Sequence, residues 1–427
     1  MVLAYYVAAY DFNLYYGQNH VWDRVLLLLV AILVLVHPAF AVVSVGLIFL
    51  IISQFRYPLG PTGISLWTDK RLPFDLLLLF SVFLFLCTFR KKNVSVFIFL
   101  VLCTHASMYA WPTVLKYQLD WVSKNDVMNL AVSAYINGWK LLPEETFLKW
   151  VQRLGWLNKP ILVSTMIIEL LPLFVFFHRR MIWVVFPTCA AMHFGIFLAS
   201  GIFFWKWILT NFALLALCFK GLPAQCQDLF SRKDTAWGCL AIVLLTPWCS
   251  RPMQLGWYDC SFNSHYDIEV QCEGGAIYPL ERSFMSPYDL NFAQNKLGYL
   301  NPDPVVVGTL GATADPLILS ELNNARSLDD VIQLEQRLGK VHHSPKMASQ
   351  FDRFLQNYFR NLNKMSTKPI SPFGLSAPHH IWFPVQENGY CMQQSVEKVL
   401  VYHIRTLYQN NKIEQLSREL IHEVEIY

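Results

Sequence analysis

Residues 160–203 read PILVSTMIIELLPLFVFFHRRMIWVVFPTCAAMHFGIFLASGIF. Two apolar runs, 160–178 and 181–203, flank the basic pair Arg179-Arg180. A helix needs about 20 apolar residues to cross a bilayer core, where lipid-exposed backbone cannot go unpaired. The segment therefore predicts two membrane-spanning helices joined by a short basic loop. Further runs lie at 24–54, 73–89, 93–112, 205–219 and 235–248. The first is too long for one straight span. Pro38 interrupts it with His37 at the bend, and two short helices there would change the count. The expected fold is an α-helical integral membrane bundle of about seven spans.

Loop charges orient these spans. Arg90, Lys91 and Lys92 follow the second run, Arg179 and Arg180 the fourth, and Lys220, Arg232 and Lys233 the sixth. Seven alternating spans place all three clusters on one side, which the positive-inside rule makes the cytoplasm. Loop 113–159 and the chain after Ser250 then face the periplasm or the ER lumen. No cleavable signal peptide is expected, because the N-terminus lacks a basic start and the first long apolar run begins near Val25.

Of 427 residues, 54% are hydrophobic and 15% charged, against about 25% charged in ordinary soluble domains. The deficit falls before Trp248. Beyond Ser250 charged residues reach normal density, so a boundary near Pro247–Pro252 separates a membrane domain, 1–249, from an extracytoplasmic domain, 250–427. A net charge of +4 without a basic stripe gives no support for nucleic acid as a partner, and none is expected. Membrane lipid is the partner that the composition requires.

In the second domain, Tyr266–Gln271 alternates apolar and polar residues as a half-buried strand does. Glu273-Gly274-Gly275 turns the chain, and Ala276–Leu280 returns as a second strand. The spacing then becomes helical. Phe351, Phe354, Leu355, Tyr358, Phe359 and Leu362 share one face. A long terminal helix is expected over 393–425, with Val396, Val399, Leu400, Ile404 and Leu407 as its buried stripe. The domain therefore reads as mainly helical with a small β-hairpin. Gly308-Thr309-Leu310-Gly311 lacks the spacing and lysine of a phosphate loop. The pairs His342-His343 and His379-His380 diverge as neighbours do, so no metal site is expected. Cys249, Cys260, Cys272 and Cys391 lie on the outer side, where either disulfides or buried thiols fit.

Eight polar residues stand where lipid makes them costly: His37, His105, Lys116, Glu169, His178, His193, Lys206 and Asn211. Each has a structural and a functional reading. Glu169, in Met166–Pro172, must be protonated or paired, and a helix–helix hydrogen bond would satisfy it. His193 lies beside Ala190, Ala191 and Gly195, small residues that let another helix approach. It reads as a satisfied core histidine or, with His105 and His37, as a haem ligand. His178 and Lys206 suit the membrane interface. Lys116 sits at the end of the third run as an interfacial anchor or as a base. An amine withdrawn from water loses part of the advantage of its charged form. Asp120, four residues on, can pair with it on a helix.

The run Leu115-Lys116-Tyr117-Gln118-Leu119-Asp120-Trp121-Val122 resembles the lysine segment of the vitamin K-dependent gamma-carboxylases. Met192-His193, Phe197 and Ser200-Gly201-Ile202-Phe203 resemble that family's histidine-bearing span. Glu169 and Pro172 suit the intervening span of the wider family of horizontally transferred transmembrane (HTTM) domains. The resemblance covers roughly residues 70–220. Leu115 stands where the family carries the first of two lysines, and Phe194 and Gly195 replace polar residues after the histidine. The resemblance implies a vitamin K-type hydroquinone as cofactor, with oxygen and carbon dioxide, and a secreted protein or peptide as substrate. Lys116 would deprotonate the quinol, so that quinol epoxidation drives glutamate carboxylation. His193 and Asp120 complete the implied catalytic set, and Trp121, Glu169 and His105 the cofactor contacts. The alternatives are a non-catalytic membrane binding or maturation protein of the same family, and a quinone- or haem-linked redox protein.

Overall fold

The computed structural model describes residues 2–8, 21–37, 40–54, 94–219, 224–230, 232–249, 256–280, 284, 297–365 and 389–427. Helices come first: α1 (Val2–Ala8), α2 (Trp22–Val36), α3 (Phe40–Gln54), α4 (Val94–Gln118), α5 (Trp121–Lys124), α6 (Val127–Ile136), α7 (Glu144–Leu154), α8 (Asn158–Leu170), α9 (Ile182–Ser200), α10 (Trp205–Phe219), α11 (Ala224–Gln227) and α12 (Lys233–Cys249). Strands β1 (Tyr258–Asp259), β2 (Phe262–Cys272), β3 (Ile277–Pro279) and β4 (Ala312–Thr313) follow. Then come α13 (Pro316–Asn324), α14 (Leu328–Leu338), α15 (Pro345–Leu362), β5 (Val396–Gln409) and β6 (Lys412–Glu425). The chain forms two compact units, 66–128 with 153–258, and 1–65 with 129–152 and 259–427.

Among the described residues, three helical segments are long and apolar enough to cross a membrane: Ser95–Gln118, Glu144–Phe176 and Arg179–Ser200. The predicted runs at 93–112, 160–178, 181–203, 205–219 and 235–248 are all helical, but α10 and α12 fall short of that length. The run at 73–89 lies outside the described residues. The run at 24–54 is not one span. It divides at His37 into α2 and α3, 15 residues each, or about 22 Å at 1.5 Å per residue, short of a bilayer core of about 30 Å. The backbone at His37 is extended (φ −147°, ψ 125°), as expected before proline.

The first unit is organised around α4. Its most apolar window is 61% buried, against 28% and 33% for the other two candidate spans. Cys103, Tyr109, Phe176, Val185, Phe186, Cys189, Trp207, Phe230 and Val243 belong to one apolar core. On one side of α4, Ser107 Oγ and Thr246 Oγ1 are hydrogen-bonded at 2.8 Å, and Trp111 Nε1 donates to the Val243 carbonyl at 2.9 Å. The opposite side carries the polar groups of the candidate site.

In the other unit, β3-β2-β5-β6 form an antiparallel sheet. The predicted hairpin is present, with Glu269, Val270 and Gln271 opposite Pro279, Tyr278 and Ile277. The predicted terminal helix is not. Residues 396–425 are a second, longer hairpin, β5–β6. Its turn, Asn410-Asn411, has φ of +50° and +57°, the conformation of a two-residue hairpin turn that asparagine tolerates. Strand β5 lies between β2 and β6 and is covered on both faces, so Val399, Leu400 and Val401 are all buried. Such a strand loses the period-two alternation, and its apolar spacing imitates a helix. The domain is therefore less helical than its sequence spacing predicts.

The stripe predicted for α15 holds: all six of its apolar residues are buried. Ser344 caps this helix, Ser327 and Asp330 form a capping box on α14, and Asp315 caps α13. The Gly308–Gly311 segment serves packing. Gly311 has φ +64°, and a Cβ there would lie 2.7 Å from Ser133 Oγ and 2.8 Å from the Phe262 carbonyl oxygen. Cys260 and Cys272 are buried thiols, and Cys391 is an exposed one.

One face of this sheet buries polar groups. Ser264 and Tyr266 stand opposite Arg405 and His403. Arg405 Nε donates to Glu335 Oε2 of α14 at 2.9 Å, and its Nη1 donates to Glu419 Oε1 at 3.1 Å. Asn301 Oδ1 accepts from the Asp303 amide, so its Nδ2 donates to His403 Nδ1 at 3.1 Å. His403 Nε2 then donates to Ser264 Oγ at 2.6 Å. Burial, with Arg405 and His265 close by, pushes His403 down to about 3. Burial lifts Glu335 to about 7 against the pull of Arg405, and the negative charges of Asp303 and Glu419 add to the rise. A carboxyl raised on folding contributes stability below its unfolded pKa of about 4.3, and loses it as pH rises through the folded value. Glu335→Gln should therefore flatten the fall in melting temperature of this unit between about pH 5 and pH 8. Parallel profiles for variant and wild type would refute this.

Candidate functional site

His105, Tyr109, Thr113 and Lys116 are spaced by four, four and three residues on α4, so they form one stripe along it. Pro112 interrupts the helical hydrogen bonds within this stretch, yet the helix continues through it. Two polar groupings occupy the stripe.

The first is an ion pair. Lys116 lies in the last turn of α4, 8% exposed, and its Nζ donates to Glu169 Oε1 of α8, 6% exposed. Thr113 Oγ1 donates to Glu169 Oε2 at 2.8 Å, so both carboxylate oxygens are engaged. Lys116 Nζ also lies 5.0 Å from the centroid of the Trp121 ring, within range of cation–π attraction. Lysine, carboxylate, hydroxyl and indole thus come from α4, α5 and α8. The carboxylate partner of Lys116 is Glu169, and Asp120 has another role. α4 ends at Gln118, and Asp120 takes the left-handed conformation (φ 52°, ψ 41°) as the N-cap of α5. The helical register that would bring Asp120 back to Lys116 is lost, and Asp120 is solvent-exposed.

The second grouping is a directed chain. Asn211 Nδ2 donates to the Trp207 carbonyl and to Tyr109 Oη, each at 2.8 Å. Both amide hydrogens are then used, so Asn211 Oδ1 accepts from His105 Nε2 at 3.0 Å. The Tyr109 hydroxyl in turn donates to His193 Nε2 at 2.9 Å. Trp207 meets the Tyr109 ring edge-on at 5.3 Å. Both Nε2 atoms that could face a haem iron are engaged in hydrogen bonds. Among the described residues, no three His, Cys, Asp or Glu groups gather as a metal site. His178 is exposed and caps a 3-10 turn through the Arg180 amide, and Lys206 Nζ lies 5.5 Å from the centroid of the Trp205 ring.

Seven of the eight polar residues singled out by sequence thus resolve into one buried ion pair, Lys116–Glu169, one buried chain that takes in His105, Asn211 and His193, and two residues outside both groupings, His178 and Lys206. Tyr109 and Thr113 were missed, although their spacing from His105 and Lys116 was visible. The aromatic and hydroxyl residues looked like ordinary span residues until Glu169, His193 and Asn211 supplied partners. A buried charge stripped of its partner costs about 3–5 kcal/mol, whereas replacing both partners by apolar residues is often neutral. Glu169→Met alone should therefore sharply lower the melting temperature in detergent, and Lys116→Met/Glu169→Met should recover most of the loss. Additive losses would show that the pair is not coupled. Tyr109→Phe leaves His193 and Asn211 each short of a partner and should cost about 1–3 kcal/mol, more than Tyr117→Phe at an exposed position, as thermal unfolding would measure. Compared with known protein families, with curated proteins and with solved structures, the chain finds no match.

Proposed function

We propose that this protein is a multi-pass membrane enzyme that uses Lys116 as the base toward a hydroquinone and modifies an extracytoplasmic protein or peptide. Glutamate carboxylation is the modification proposed. The observation that carries this reading is the buried Lys116–Glu169 pair beneath Trp121. The resemblance of 115–122 to the lysine segment of the gamma-carboxylases supports it. In this reading the shorter apolar helices also lie in the membrane, with the three basic clusters on the cytoplasmic side and the β5–β6 domain outside.

The residues suit an aromatic diol. Trp121 offers a flat apolar face beside the amine, and an amine is the right base for a phenolic proton. When bound, a hydroquinone would supply the redox chemistry, and through it the strong base that removal of a glutamate γ-proton demands. The chain's part is proton handling. Lys116 donates to Glu169 Oε1. Were that proton passed to Glu169, the Lys116 amine would be able to accept the phenolic proton of a bound hydroquinone. Thr113, donating to Oε2, keeps the carboxyl plane fixed. The ammonium that would result faces the Trp121 ring, whose centroid lies 5.0 Å from Nζ.

A second reading is favoured by the completeness of the hydrogen bonding. The contacts that Lys116 and Glu169 make with each other, Thr113 and Trp121 are also what a helix staple would make, as in a non-catalytic binding or maturation protein. One assay separates the two. Purified full-length protein in nanodiscs would receive reduced vitamin K and oxygen, with epoxide measured by chromatography. Wild type should form epoxide, and Lys116→Ala should lose about 100-fold or more of the rate. Equally folded wild type that forms none would leave the staple reading.

A further inference from the structure

The segment just before the sheet-bearing unit bears on Lys116 through Trp121. Trp121 Nε1 donates to the Trp257 carbonyl at 2.8 Å. The Tyr258 hydroxyl donates to the Leu119 carbonyl, one of the carbonyls left without a helical partner at the end of α4. Between these contacts the backbone comes very close to α4. A Cβ on Gly256 would lie 3.1 Å from both Leu115 Cβ and Leu119 Cδ1. Only a residue without a side chain fits there unless a neighbour shifts. Gly256, Trp257 and Tyr258 therefore lie across residues 115–121 as a strap, held by one close approach and two hydrogen bonds. Leu115, where the resembled family carries the first of two lysines, is the residue that Gly256 covers.

We propose that Gly256–Tyr258 is a positioning strap: it fixes Trp121 over Lys116 and thereby keeps the Lys116–Glu169 pair out of water. Trp121 is the positioning residue nearest the amine, and the strap acts through it. The role deepens the reading of Lys116 as a base and rests on that reading for its purpose, though not for its geometry. The hydrogen bonds of the strap fall on Trp121 and on the Leu119 carbonyl, one turn of chain beyond Lys116. Its effect is on access: an indole ring pinned by its N–H cannot swing off the ammonium, whereas an unpinned one can.

The test measures access without turnover. Full-length protein in detergent would be acylated with a small water-soluble amine reagent, and the rates at Lys116 and at exposed Lys124 compared by mass spectrometry. Lys124 serves as the standard within the same molecule. In wild type, Lys116 should react far more slowly than Lys124. Gly256→Val should raise the Lys116 rate roughly tenfold, the equivalent of about 1.4 kcal/mol of lost shielding, with Lys124 unchanged. Tyr258→Phe, which removes only the hydroxyl and keeps the ring, should raise it by a smaller factor. Trp121→Phe keeps an aromatic face but loses the pinning N–H, and should match Tyr258→Phe. A purely structural defect would instead raise every lysine together. Melting curves would confirm that the variants fold, and if Gly256→Val does not, the two conservative variants decide. An unmoved Lys116 rate in folded variants overturns the strap, as does a wild-type Lys116 that reacts as fast as Lys124. Absence of epoxide formation would sink the enzyme reading while leaving strap-dependent labelling intact, so the two failures are distinguishable.

Discussion

A lysine ammonium among apolar helices requires an anion, and Glu169 meets that requirement from 53 residues away. The energy of such a pair is a small difference between a large desolvation cost and a large attraction. That difference is sensitive to geometry, so the helices carrying the two groups must meet in one register. Thr113, one turn before Lys116, uses the same carboxylate and sharpens the register further. The rest of the first unit arranges α4, α5 and α8 around this constraint. Lys159 at the start of α8 donates to the Val122 and Ser123 carbonyls of α5. Asn158 Oδ1 accepts from the Val127 amide at 2.9 Å. The helix that brings Glu169 is thus tied at its start to the turn that brings Trp121.

The same stripe of α4 carries a second solution to the same problem. His105, Asn211, Tyr109 and His193 satisfy one another through neutral groups with a fixed donor order. The Trp207 carbonyl sets that order, because it consumes one amide hydrogen of Asn211. A polar network in an apolar interior is stabilising only when each member is matched. The opposite side of α4, with Ser107, Thr246 and Trp111, needs less because its groups are hydroxyls and an indole. The difference between the two sides gives α4 its orientation among its neighbours.

The sheet-bearing unit handles buried charge differently. Arg405 is shared between Glu335 and Glu419, so the cluster holds two acids for one base. One acid is consequently hard to ionise, and burial selects Glu335, the less exposed of the two. His403, stacked on Tyr266 at 5.0 Å, stays neutral beside the guanidinium and acts as a hydrogen-bonding spacer between β2 and the segment at Asn301. These groups belong to the core of the domain, where Arg405 is bonded to Glu335 and His403 to Ser264 and Asn301.

The amino-acid sequence by itself determined the apolar helices. Their hydropathy is a property of consecutive residues, and backbone hydrogen bonds in a helix close within the segment. It also marked the α15 stripe, the 266–280 hairpin and most of the costly polar residues, since each rests on local spacing. Tertiary structure alone decided which of those residues meet. Lys116 looked to Asp120 by chain distance, but α4 ends between them and Glu169 arrives from another helix. Tyr109 and Thr113 acquired significance only through partners far along the chain. The β5–β6 hairpin was likewise beyond local reading, because a strand buried on both faces owes its pattern to the layers that cover it. In each case the deciding contact joins residues distant in sequence, and no spacing along the chain encodes it.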